Sequence, residues 1–188
     1  AAAFAAVENI ASIQQKAQFF FKWIDSIHDL SEIRSRSDRQ SFLLNQICFA
    51  TCVEGIFFFA AFAYVYFLRS KGLLNGLATG TNWVFRDESM HIGFAYEVIH
   101  TVCREEPDIF DAQMKCRVAQ MINEAVVCEK SFAKDALDLG VVGLSYRDMC
   151  AYLEYIADKR LSSLGIPPQF NSRNPFSFME MQDVQELA

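Results

Sequence analysis

The chain predicts an all-α helical bundle. Apolar residues recur with helical period along most of its 188 residues, no stretch alternates as a half-buried strand would, and only four prolines interrupt the pattern. At this length one domain can bury a substantial core, and a hydrophobic content of 52% with eighteen phenylalanines supplies it.

The helices fall near 8–28, 38–67, 75–102, 108–138 and 146–164, with a short last one from about 178. A polar connection at 31–38 separates the first two, and Asp38 is expected to cap the second. The break at Arg69-Ser-Lys-Gly72 ends that helix, and Glu105-Glu-Pro-Asp108 ends the third. Leu139-Gly-Val-Val-Gly143 stops the fourth, after which Ser145 caps the fifth. From Gly165 the run Ile-Pro-Pro-Gln-Phe-Asn-Ser-Arg-Asn-Pro reads as extended. No repeat or linker divides the sequence, so 1–188 is expected to be one domain with 165–188 as an extended segment at its end.

A net charge of −6 without a Lys/Arg cluster excludes a nucleic-acid surface, because phosphate binding needs a basic patch. The six cysteines form no C-x-x-C pair and read as reduced core residues, which suits a cytoplasmic location. Residues 47–67 are long enough to span a bilayer, but no second run matches them, and the favoured reading is the central helix of a bundle rather than a membrane span.

That central run carries one charge, Glu54. An unpaired buried carboxylate costs several kcal/mol or more, so Glu54 must be neutralised, paired or bound to metal. Further on comes Arg86-Asp-Glu-Ser-Met-His91, in which Glu88 lies thirty-four residues after Glu54 and stands with His91 at i and i+3 on one helix face. If the two helices run antiparallel from the turn near residue 71, thirteen residues back from Phe67 and thirteen forward from Asn75 each cover about 20 Å, setting Glu54 level with Glu88. A lone glutamate facing a Glu-x-x-His pair is how di-iron and di-manganese bundles hold metal, and Phe58 and Phe62 would line the same face as Glu54. Spacing alone leaves a structural pairing open. A second match, Glu97-Val-Ile-His100, lies about 180° round the helix and reads as surface or satisfied partners. His28, near a helix end, reads as structural.

With these residues in place, the sequence resembles the radical-generating small subunit of class I ribonucleotide reductase. The motif Arg86-Asp-Glu-x-x-His91, the phenylalanine-rich helix bearing Glu54, and the run Asn174-Pro-Phe-Ser-Phe-Met-Glu carry the resemblance. It implies a ferritin-like bundle, here its C-terminal portion, and a dinuclear metal centre: di-iron, with manganese–iron or di-manganese as alternatives. That centre reacts with dioxygen, and the oxidant it stores passes to a large subunit that reduces ribonucleotides. A homodimer of small subunits is implied as well. Position by position, Glu54, Glu88 and His91 match metal ligands; Asp87 matches the carboxylate that bonds a ligating histidine and conducts the radical; Phe58, Phe62 and Val84 match the hydrophobic pocket. The family's other ligands and its radical tyrosine belong to helices preceding this portion, so residues 1–188 alone are expected to be metal-poor and prone to associate. Another ferritin-like di-metal oxidase, or an inactive partner subunit, are the alternatives.

Overall fold

The computed structural model describes residues 9–24 and 33–179. Among these residues it contains helices and one isolated bridge, Val141 to Leu144, and no strand. Helix α1 is Ala11–Trp23, α2 is Arg36–Ser70, α3 is Asn75–Glu105, α4 is Ala112–Ala136 and α5 is Tyr146–Ser163. The five expected helices up to residue 164 are all present, with α2 and α3 longer than the sequence pattern suggested. His28 lies outside the described residues, as does everything expected beyond Met179.

Local chemistry explains the boundaries. Helix α2 starts in a capping box: the Ser35 hydroxyl accepts the Asp38 amide, and the Asp38 carboxylate accepts the Ser35 amide. Asp38 is therefore the third helical residue and not the cap, a correction that follows from the serine three places earlier satisfying its amide. The turn into α3 needs two left-handed residues, Gly72 at φ 73° and Leu74 at φ 49°. Asp111 and Ser145 cap α4 and α5 through the amides of Met114 and Asp148.

Helix α2 is the axis of the molecule. Its central part is wound as a π-helix over Cys48–Phe58, followed by α winding over Phe59–Ser70. Helices α3, α4 and α5 all pack on the π segment, and α1 packs on α4. By length and composition α2 could cross a membrane, but 78% of its most apolar window is buried inside the bundle, as in the core helix of a globular protein. All six cysteines are free. Cys48 and Cys52 are buried as expected, whereas Cys116 is exposed.

Two buried ionic contacts fix the outer elements. Lys16 on α1 pairs with Glu129 on α4 at 2.5 Å and lies over the rings of Phe57 and Phe132. Burial pushes the Glu129 carboxyl up, and Lys16 pulls it back down. On α5, the Asp158 carboxylate accepts the amides of Gln169, Phe170 and Asn171, holding the extended segment against the helix. Phe176 then packs on Tyr152 and stacks on Phe178.

Lys16→Met strands a buried carboxylate and is expected to cost about 3 kcal/mol or more in urea unfolding at pH 7. A carboxyl whose folded pKa is raised loses stability as pH climbs from its unfolded value through its folded one, so the deficit of the variant should shrink as pH falls and Glu129 takes up a proton. An unchanged deficit across that range would show that the pair is not what Lys16 contributes.

Candidate metal centre

Helices α2 and α3 leave the Lys71–Leu74 turn antiparallel and pack along each other, which brings Glu54 and Glu88 to one level. One ligand atom each from Glu54, Glu88 and His91 lies within 4.8 Å of the others. Glu88 Oε2 stands 3.7 Å from His91 Nδ1, the contact that i,i+3 spacing on α3 allows. The same Glu88 oxygen is buried and has no hydrogen-bond partner.

Burial is unequal across the cluster. Glu54 is 9% exposed, and the Glu88 side chain 14%, but the His91 side chain is 63% exposed. The site is therefore closed on the Glu54 side and open at His91: among the described residues no helix covers the face of α3 that carries His91. Val84 shares that face, seven residues before His91, and is exposed, as is Phe58. Phe62 is buried and forms an aromatic wall with two rings the motif did not point to, Phe59 and Phe85, at centroid separations of 5.8 and 5.2 Å. Asp87 is exposed, one residue round the helix from Glu88.

Burial raises the Glu54 carboxyl above its ordinary value, the neighbouring Glu88 raises it further, and His91 opposes both. Two carboxylates held together in a dry place favour a shared proton or a bound cation. The second Glu-x-x-His pair does neither: the His100 ring hydrogen-bonds the carbonyl of Ser163 at 2.7 Å and stacks on Tyr96, so it is a satisfied structural histidine.

A helical bundle that sets a lone glutamate opposite a Glu-x-x-His pair has the architecture of the di-metal carboxylate proteins. The protein belongs to the ribonucleotide reductase small-chain family, whose sequence profile, "Ribonucleotide reductase, small chain", matches residues 1–175. It is 34% identical over 98% of its length to the ribonucleoside-diphosphate reductase small subunit of Dictyostelium discoideum, covering 49% of that protein. The corresponding small chain of Nicotiana tabacum is 33% identical over 97% of this sequence, again with 49% of the relative covered. The sequence thus spans about half the length of the curated relatives it matches. Among solved structures it resembles the ribonucleotide reductase Rnr4 homodimer of Saccharomyces cerevisiae, with a TM-score of 0.72 and 25% identity over 98% of this protein and 53% of that one. It shares the fold of the R2 subunit of Clostridium botulinum at a TM-score of 0.75 and 20% identity, covering 97% of this protein and 55% of that one.

Arg160 and Gly55 escaped the motif reading. A glycine inside a long helix costs about 1 kcal/mol against alanine and could have marked the place. Arg160, on α5, approaches Gly55 from 105 residues away, and no local pattern announces it.

In metal-free protein, ionised Glu54 opposes folding. A raised folded pKa means that stability declines as pH rises from the unfolded carboxyl value through the folded one. Glu54→Gln should therefore flatten the pH dependence of metal-free unfolding above the ordinary carboxylate range and leave the protein at least as stable at pH 7. A clear loss of stability at pH 7 would mean that the carboxylate has a structural partner instead.

Proposed function

We propose that this protein carries one half of the dinuclear metal centre of a ribonucleoside-diphosphate reductase small subunit, with Glu54, Glu88 and His91 as its ligands. The observation that carries this reading is the convergence of two carboxylates and an imidazole, from two helices, on one spot beside an apolar core. The donor set fits: hard oxygen donors with one imidazole and no thiolate suit iron or manganese, and the buried, partnerless oxygen of Glu88 is an acceptor waiting for a cation. Such a centre, when bound, supplies dioxygen activation and stores a one-electron oxidant.

The protein's own residues do the rest. Glu54 and Glu88 bring negative charge that compensates the cations, and helix α3 fixes the Glu88–His91 spacing. The rings of Phe59, Phe62 and Phe85 keep water from the inner side of the site. Phe58 and Val84 add apolar surface on its open side. Asp87 points in a different direction from the ligands and is assigned to orienting a ligating imidazole and to radical transfer rather than to holding metal. The remaining ligands of a centre with two lone carboxylates and two Glu-x-x-His pairs come from outside the described residues.

The partner is a large subunit that holds the nucleotide, and the small subunits pair with each other, a reading supported by the homodimeric yeast neighbour. Six free thiols suit a reducing cytoplasm.

Metal analysis of the full-length protein tests the assignment. Wild type should hold two ions per subunit, and Ala at 54, 88 or 91 should remove at least one. Asp87→Ala should keep most of the metal while nucleotide reduction with the large subunit falls by about a hundredfold or more. Full metal content in the three ligand variants would refute the site, and a wild type without metal would favour an inactive partner subunit.

A further inference from the structure

The π winding of Cys48–Phe58 poses a problem that the structure answers with one side chain. In a π-helix each carbonyl accepts the amide five residues on, and in an α-helix the amide four on. Amides are used in order along the backbone. Where the ladder returns from five to four, one carbonyl near the junction is skipped, and buried carbonyls are costly to leave without a donor.

The junction lies one turn after Glu54. The π segment ends at Phe58, and the amide of Phe59, which an α-helical Gly55 carbonyl would take, donates to the carbonyl of Ile56 instead. The Gly55 carbonyl accepts a hydrogen bond from Nε of Arg160, on α5, at 3.1 Å. The same guanidinium lies 4.5 Å over the ring of Phe59, the first residue of the α-helical part. Arg160 thus touches both sides of the junction.

Gly55 leaves room for this contact. A Cβ there would sit 3.0 Å from Arg160 Nε and 2.9 Å from the carbonyl oxygen of Ala50, the residue one π turn back. The second clash belongs to the π winding itself, and the first to the arginine that supports it.

We propose that Arg160 is a positioning residue: by capping the carbonyl of Gly55 it holds the π winding of α2, and through that winding it keeps the Glu54 carboxylate at the level of Glu88 and His91. Relaxing the segment to an α-helix would wind it more tightly and turn Glu54 by roughly 100° relative to the α-helical part of α2 packed on α3. The proposal rests on Glu54, Glu88 and His91 being ligands, and it adds a residue that touches none of them.

The test uses the full-length protein with two variants. Arg160→Met keeps an apolar stem and loses every donor; Arg160→Lys keeps the charge but not the planar fork. Hydrogen exchange is followed on metal-free protein, and Mn(II) affinity by equilibrium dialysis. In Arg160→Met, amides of residues 48–58 should exchange about tenfold faster while those of 112–136 keep their wild-type rates. Mn(II) affinity should fall by about tenfold or more, with Arg160→Lys intermediate in both readouts. Wild-type exchange over 48–58, or acceleration spread evenly over α4 and α5, would overturn the inference, since the latter is what a packing role predicts. So would unchanged Mn(II) affinity in Arg160→Met when wild type loads normally. If wild type itself takes up no Mn(II), the ligand reading falls, and with it the link from Arg160 to metal. Should Arg160→Met not fold, the comparison of Arg160→Lys with wild type decides by the same criteria.

Discussion

One buried carboxylate sets the terms for this structure. Glu54 is the single charge in a helix segment that the rest of the bundle wraps, and the groups around it are arranged with respect to that charge. Helix α3 brings Glu88 and His91 to its level, and the helix that bears it departs from α winding around it. A second carboxylate beside the first makes the metal-free state worse, as the raised Glu54 carboxyl shows. A site that is uncomfortable when empty is one whose stability is linked to what it binds.

The same constraint explains why the stabilising contacts lie where they do. The Lys16–Glu129 pair and the Asp158 carboxylate tie the outer elements α1 and 165–176 to α4 and α5. Helices α4 and α5 in turn pack on the π segment. Arg160 adds to this support: it reaches the backbone next to Glu54 from α5.

Much of this was legible in the sequence, and the failures have physical causes. Glu54 stood out because burying a charge is expensive, and its partner at Glu88 followed from helix rise on either side of a visible break. Helix boundaries shifted by a few residues, and the cap of α2 moved from Asp38 to Ser35, since either residue type can serve at that position. The π winding left no trace in the pattern: a run apolar all round looks the same at any pitch. Nor could periodicity show that His91 opens to solvent, because exposure depends on what else packs on α3. The exposed Cys116 is a similar case, because its exposure depends on how α1 and α4 pack and not on its own apolar character.

Whether Glu54, Glu88 and His91 share bound metal can be read from anomalous diffraction at the iron or manganese absorption edge, using crystals of metal-loaded full-length protein. An anomalous peak bonded to side-chain atoms of all three residues is expected. A loaded protein whose peaks lie elsewhere, with Glu54 still facing Glu88 across an empty gap, would contradict it.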